Sequence, residues 1–67
     1  MNTFDVMDMT CGHCVSAITQ AVKAIDPQAR VQIDLAAHRV VVDQGQADAQ
    51  ALRKAIAEAG YTPVEVA

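Results

Sequence analysis

The chain has 67 residues, two cysteines and a formal net charge of −3 at pH 7. This length accommodates one small domain spanning 1–67, and an acidic chain without a basic stripe is a poor partner for nucleic acid. Its apolar runs are far shorter than the roughly 20 residues that cross a bilayer, so no membrane insertion is expected. The N-terminal residues lack the features of a signal peptide, and we expect a cytoplasmic location, where thiols stay reduced.

The first half of the chain predicts a strand, a helix and a second strand. Phe4 and Val6 alternate with polar residues, as in a half-buried strand. Asp26-Pro27 ends the helix that follows, because the residue before a proline avoids helical geometry. The helix and the second strand are recognised by the spacing of their apolar residues, which are Val15, Ile18, Val22 and Ile25, then Val31, Ile33 and Leu35.

The second half predicts a strand, a helix and a last strand. The connection 36–39 contains His38, which we expect to be an exposed turn residue. Asp48 or a near neighbour is suited to cap the second helix, and Gly60 is suited to end it. Pro63 is tolerated at the start of the last strand. The apolar faces of these elements are formed by Val40 and Val42, by Leu52, Ile56 and Ala59, and by Val64 and Val66.

The order βαββαβ predicts an α+β fold of the ferredoxin-like type. Two βαβ halves, roughly 1–35 and 36–67, would form a four-stranded antiparallel sheet with two helices on one face. The predicted core comprises Phe4, Val6, Ile18, Val22, Ile25, Val31, Ile33, Leu35, Val40, Val42, Leu52, Ile56, Val64 and Val66. A bridge between Cys11 and Cys14 would close only a tiny ring, so these thiols are predicted to have a chemical and not a structural use.

The two cysteines lie where the first predicted strand gives way to the first predicted helix. A helix N-terminus favours thiolate over thiol, and Gly12 permits a backbone geometry that brings both sulfurs to one side. Two soft thiolates suit a soft ion that accepts two-coordinate binding, and Cu(I) fits best. A tetrahedral zinc site normally requires four ligands, of which this pair supplies half.

The segment Met9-Thr10-Cys11-Gly12-His13-Cys14 resembles the metal-binding motif of the heavy-metal-associated domain family, and most closely that of its small bacterial copper chaperones. The resemblance covers nearly the whole chain, including the late Gly60-Tyr61. It implies that Cys11 and Cys14 bind Cu(I), that Met9 packs beneath the loop and that Tyr61 lies close to the metal. Asp8 is a departure, since the family usually has glycine there.

The same resemblance implies partners and leaves alternatives open. A metal-binding domain of a copper-transporting P-type ATPase would receive the ion, and a copper-responsive regulator or a metal-bridged homodimer would fit as well. His13 either faces solvent, where it could tune the thiolates or touch a partner, or supplies a third ligand, which would favour Zn(II), Cd(II) or Hg(II). The thioether of Met9 is another soft group that could act as a ligand. Tyr61 is either a packing residue or a hydroxyl near the thiolates.

The tetrapeptide Cys-Gly-His-Cys is also found in the active sites of protein disulfide isomerases. This resemblance keeps a thiol–disulfide oxidoreductase as a further alternative. However, Thr10 stands where those enzymes have tryptophan, the chain is short for their fold, and neither proline is suitably placed. The sequence contains no other catalytic constellation, so the chain is predicted not to be an enzyme.

Overall fold

The computed structural model describes residues 1–66 and has the predicted order of elements. These are β1 (Asn2–Val6), α1 (Gly12–Ile25), β2 (Arg30–Asp34), β3 (Arg39–Asp43), α2 (Ala49–Glu58) and β4 (Pro63–Glu65). The last residue of the predicted domain, Ala67, lies outside the described part.

The four strands form one antiparallel sheet in the order β2-β3-β1-β4. Strand β1 is in the interior, where Phe4 pairs with Val40 of β3 on one side and with Glu65 of β4 on the other. Buried side chains of both helices join those of β1 and β3 in one apolar cluster. The ferredoxin-like α+β prediction is confirmed. Because β1 lies between β3 and β4, the loop that follows β1 begins between these two strands.

The core lies between the sheet and the two helices. Val31, Ile33 and Leu35 are only half-buried because they belong to or follow the edge strand β2, and Val66 is half-buried after β4. The large side chains with essentially no exposure are Phe4, Val6, Met9, Ile18, Val22, Val40, Val42, Leu52 and Ile56. Met9 extends the core to the base of the loop that carries the cysteines.

Two residues predicted to be in the core are exposed instead. Val64 is 58% exposed because it pairs with Asp5, which places it on the face of the sheet away from the helices, whereas its neighbour Pro63 pairs with the buried Val6. Ile25 is 47% exposed, since it is the last residue of α1, at the end of the packed helix face. The sequence pattern identified the strand and the helix but not which side of β4 faces the core.

The predicted helix ends are largely confirmed. Asp48 Oδ1 accepts a hydrogen bond from the N–H of Ala51 at 2.8 Å and so caps α2. Gly60 follows α2 with φ of 101°, a conformation that favours glycine. Ala59 was expected on the apolar side of α2, but it lies at the C-terminal end of that helix and is exposed. The buried alanine of α2 is Ala55, which joins Leu52 and Ile56 on the buried side.

Helix α1 ends at a buried carboxylate that the sequence pattern did not indicate. Asp26 is 5% exposed, and its Oδ2 accepts hydrogen bonds from the N–H groups of Gln46 at 2.7 Å and Ala47 at 2.9 Å. A Cβ on Gly45 would collide with this carboxylate. The end of α1 is thereby joined to the loop that precedes α2.

Candidate metal centre

Cys11 and Cys14 lie at the start of α1 with their sulfurs close together. Cys11 has extended backbone angles, φ of −152° and ψ of 171°, and its carbonyl accepts the N–H of Cys14 at 3.0 Å. The two Sγ atoms are 3.6 Å apart, much further than the roughly 2.05 Å of a disulfide bond, and both thiols are free. Cys11 is exposed and Cys14 is half-buried, so the pair is accessible from outside.

The surroundings of Cys14 favour its thiolate. Hydrogen bonding from the phenol of Tyr61, and then from the backbone of Thr10, lowers the pKa of Cys14 from 9.0 to about 6, against a smaller opposing effect of burial. Hydrogen bonding to Cys14 in turn raises the pKa of Tyr61 from 10.0 to about 12. At neutral pH the arrangement is therefore a Cys14 thiolate beside a protonated phenol.

Tyr61 relates to both of the roles that the sequence left open. Its side chain is half-buried and packs against the apolar core, and its phenol is near enough to Cys14 to lower the pKa of that thiol. It reaches this position because Gly60 ends α2 and the chain then turns back toward the loop between β1 and α1, residues 7–11, which we call the metal loop. The structure thus brings together Cys11, Cys14 and Tyr61 from distant parts of the chain.

The loop between β1 and α1 is held from beneath by Met9. Its side chain is completely buried, and its N–H donates to the carbonyl of Val6 at 3.1 Å, closing a turn after β1. A buried thioether would have to leave the core in order to reach a metal at the surface. In this conformation the side chain of Met9 is part of the core.

His38 does not have the exposed position expected of a turn residue. It is half-buried with φ of 55°, and its Nδ1 lies 2.9 Å from the carbonyl oxygen of Met9. Sequence alone offered one weak signal, which is that histidine is enriched among residues that adopt left-handed angles. The contact itself joins residues 29 positions apart, and no local pattern could predict it.

Asp8, the departure from the family pattern, makes a contact that glycine could not make. Its Oδ1 accepts a hydrogen bond from the N–H of Thr62 at 3.2 Å. Thr62 directly follows Tyr61, so this bond joins the metal loop to the segment that carries the phenol. Together with the contact of His38, it joins the loop to the residues directly before β3 and β4, the two strands beside β1.

Gly12 differs from the sequence-based expectation, whereas His13 has a solvent-facing position, one of the two that the sequence left open. Gly12 is the first residue of α1, is not among the residues with positive φ, and has open space where a Cβ would be, so glycine is not required there. His13 is exposed. Within residues 1–66, no three His, Cys, Asp or Glu side chains are grouped so as to hold a metal ion. The structure therefore does not bring His13 to the thiols as a third ligand.

Comparison with known proteins identifies the class to which this two-thiol domain belongs. Residues 3–62 match the heavy-metal-associated domain. The chain is 38% identical over 60 residues to the copper chaperone CopZ of Enterococcus hirae, covering 87% of each protein. It is 36% identical over 61 residues to copper-transporting ATPase 2 of Rhizobium meliloti, which covers 90% of this chain but only 7% of the ATPase.

Two solved structures have the same fold over almost their entire length. A gold-binding protein matches with a TM-score of 0.92 and 32% identity, covering 98% of this chain and 100% of that one. The copper chaperone Atx1 from Synechocystis matches with a TM-score of 0.89 and 37% identity, covering 92% of this chain and 97% of that one.

The chain belongs to the heavy-metal-associated domain family, and domains of this chaperone type are metal carriers and not enzymes in themselves. This assignment disfavours the oxidoreductase alternative. The ferredoxin-like fold agrees with this assignment. No helix in the described part of the chain is long and apolar enough to cross a membrane.

Proposed function

We propose that this chain is a cytoplasmic copper chaperone that binds one Cu(I) ion between Cys11 and Cys14 and passes it to a partner protein. The observation that carries the proposal is the pair of free, accessible sulfurs 3.6 Å apart at the start of α1. The copper chaperones among its relatives support the choice of copper. A two-coordinate thiolate site also matches the soft character of Cu(I).

Near-linear binding requires a small rearrangement of the pair. With metal–sulfur bonds of about 2.3 Å, as in zinc thiolates, two opposed sulfurs would stand about 4.6 Å apart, about 1 Å more than the observed 3.6 Å. Cys11 precedes α1 and is exposed, so rotation of its side chain can open the gap. Cys14 belongs to the helix and interacts with Tyr61, so it would be the fixed side of the site.

Transfer follows from the low coordination number. A thiolate of the partner adds to the ion, forming a three-coordinate intermediate, and one bond to Cys11 or Cys14 then breaks. The released sulfur leaves with its electron pair as a thiolate, so no oxidation or reduction occurs. The exposed position of Cys11 makes it the sulfur that a partner reaches first.

A metal-binding domain of a copper-transporting P-type ATPase is the partner that we propose. The related ATPase contains a segment of the same family, 36% identical over 61 residues. Such a segment has the same fold, and a Cys-x-x-Cys pair in it would offer the incoming thiolates. A copper-responsive regulator and a metal-bridged homodimer remain predictions from the sequence resemblance.

Binding of Zn(II), Cd(II) or Hg(II) with recruitment of His13 is the competing assignment. Tetrahedral zinc needs four ligands, and within residues 1–66 no His, Cys, Asp or Glu side chain is grouped with the two thiols as a third ligand. The gold-binding relative is consistent with a site for soft ions in general. Copper therefore has to be tested against zinc directly.

The deciding experiment is an anaerobic titration with Cu(I) in the presence of a competing chelator, repeated with Zn(II). We expect about one equivalent of tightly held Cu(I), loss of this binding in the Cys11→Ser, Cys14→Ser double variant, and much weaker Zn(II) binding. Ser16→Ala is the matched control, because it changes an exposed residue of the same helix. Unchanged Cu(I) binding by the double variant would overturn the proposal, as would zinc outcompeting copper.

A second experiment tests delivery. The copper-loaded chain is mixed with a separate heavy-metal-associated domain that carries a Cys-x-x-Cys pair, and copper is measured in each protein after separation. We expect copper to be distributed between the two within minutes, while a partner with serines in place of its cysteines receives none. Retention of all the copper by the chain would indicate storage and not delivery.

A further inference from the structure

We propose that His38 is a positioning residue of the metal site, acting through a hydrogen bond from its imidazole to the carbonyl of Met9. The inference rests on the proposed function, since it concerns the same site. It adds a residue from the β2–β3 turn, which contains no metal ligand. The carrying observation is the 2.9 Å separation between His38 Nδ1 and the oxygen of Met9.

The turn holds His38 rigidly enough for this role. The carbonyl of His38 accepts the N–H of Val6 at 2.7 Å, and its own N–H donates to the carbonyl of Leu35 at 3.2 Å. Its φ of 55° is the left-handed conformation that closes the turn. The imidazole is therefore directed at the metal loop by a backbone that is bonded to β1 on one side and to the end of β2 on the other.

Because Met9 is close to Cys11 in sequence, a hydrogen bond to its carbonyl restricts the position of the first thiol. The side chain of Met9 is completely buried, so this residue cannot shift without disturbing the core. Met9 is two residues before Cys11. Fixing both its side chain and its carbonyl leaves only Thr10 between a rigid point and the first thiol.

The contact also specifies the chemical form of the imidazole. A carbonyl oxygen only accepts hydrogen bonds, so Nδ1 must carry the proton. In a neutral ring, Nε2 is then the unprotonated nitrogen. The hydrogen bond thus predicts the tautomer of His38, which can be measured in the metal-free protein.

The first test is ¹⁵N NMR of the histidine side chains in the metal-free chain, at a pH where the rings are neutral. We expect His38 to have a protonated Nδ1 and an unprotonated Nε2, and the exposed His13 serves as the internal comparison. A His38 ring protonated at Nε2 would overturn the proposal. This readout does not depend on metal, so it stands even if the chain fails to bind copper.

The second test compares two variants of the same shape. Asn and Asp both tolerate left-handed angles, but only His38→Asn retains a donor near the position of Nδ1. His38→Asp presents oxygens there and repels the carbonyl. From the usual worth of one hydrogen bond, we expect His38→Asp to lower Cu(I) affinity about three- to tenfold, and His38→Asn to stay within about twofold of the wild type.

The charge introduced by aspartate needs its own control. Ala37→Asp adds the same charge at the neighbouring exposed position and keeps the imidazole. We expect this variant to bind Cu(I) like the wild type. An equal loss in Ala37→Asp and His38→Asp would assign the effect to charge and overturn the proposal.

Amide hydrogen exchange in the metal-free variants separates a local from a global effect. We expect faster exchange in the loop, at Met9 to Cys11, in His38→Asp alone, with unchanged exchange at Ile18 and Val22 in the core of α1. Equal loop exchange in all variants would overturn the proposal. If amide exchange in the loop changes as expected but neither the wild type nor any variant binds Cu(I), the hydrogen bond between His38 and Met9 is supported and the proposed function is wrong.

Discussion

Oδ2 of Asp26 accepts the backbone N–H of Gln46 at 2.7 Å, across 20 positions of sequence. The carboxylate is 5% exposed and also accepts the N–H of Ala47, so it holds the loop before α2 against the end of α1. Because α1 has 14 residues, this anchor is about 20 Å from the cysteines. The anchor and the cysteine pair therefore lie at opposite ends of one helix, and each can be altered without touching the other.

Replacing Asp26 by alanine should destabilise the chain without affecting the metal site. The N–H groups of Gln46 and Ala47 would lose their acceptor, and we expect a loss of about 2–3 kcal/mol in the free energy of unfolding, measured in urea. Asp34→Ala is the matched control, since its carboxylate accepts one exposed N–H, from Ala37, and should cost less than about 1 kcal/mol. Equal losses in the two variants would contradict the anchor.

Two glycine substitutions should have opposite outcomes. A Cβ on Gly45 would collide with the carboxylate of Asp26 and lie 3.0 Å from the Cβ of Ala29, so Gly45→Ala should cost about 1–3 kcal/mol. Gly12→Ala meets nothing within 4 Å and lies in α1, so it should be neutral or slightly stabilising. Thermal unfolding of both variants is the measurement, and a destabilised Gly12→Ala would show that the glycine has a role outside the observed conformation.

Removing the hydroxyl of Tyr61 should raise the pKa of Cys14. Hydrogen bonding from Tyr61 is the largest effect that lowers this pKa to about 6, while the backbone contributions would remain. Tyr61→Phe retains the ring that packs on the core, so the fold should persist. We expect the pKa of Cys14 in the variant to lie between about 6 and 9.0, measured from the pH dependence of alkylation with each thiol resolved by peptide mapping. A value unchanged from the wild type would disprove the contact.

The stability of the metal-free chain should rise with pH through the titration of Cys14. The folded pKa is about 6 and the ordinary value is 9.0, so the unfolded chain holds the thiol proton over this interval while the folded chain has released it. The contribution is complete above pH 9.0 and is lost as pH falls through about 6. The raised pKa of Tyr61 acts only above its ordinary value of 10.0, outside this window.

The measurement for this pH effect is the difference between the wild type and Cys14→Ser in urea unfolding across pH 6 to 9. Subtraction removes the titration of all other groups that the two chains share. Parallel stability curves for the two proteins would mean that Cys14 does not titrate as described.

His13→Ala should leave Cu(I) affinity within about twofold of the wild type. The imidazole is exposed, and within residues 1–66 it does not form a three-ligand group with the thiols. Competition with a Cu(I) chelator measures the affinity, and the same titration with Zn(II) provides the comparison. A large loss for either metal would show that the ion recruits His13 on binding.

Sequence periodicity predicted the fold well because the apolar residues that define it recur locally. The alternation in β1 and the helical spacing of Ile18 and Val22 correspond to residues that are buried. The prediction for Val64 was wrong because β4 is an edge strand of only three residues, too short for its own pattern to show which side faces the core. Its orientation is set by its pairing with β1, in which Val64 lies opposite Asp5. Periodicity identifies an element more reliably than it orients a short one.

The candidate site divides in the same way. Cys11 and Cys14 are three positions apart, so their spacing and the start of a helix could be recognised in the sequence. The contacts of Asp8 with Thr62, and of His38 with Met9, join residues 54 and 29 positions apart. Such pairs become neighbours only when β3 and β4 align on the two sides of β1.

This interior position of β1 makes the quality of the metal site depend on the completed fold. Two cysteines three positions apart can capture a soft ion even in an unfolded chain. Three features of the site exist only after the second half of the chain has assembled around the first. They are the hydrogen bond from Thr62 to Asp8, the contact of His38 with Met9, and the phenol of Tyr61 near Cys14. Under the proposed function, a nascent or damaged molecule would therefore hold copper less tightly than an intact one.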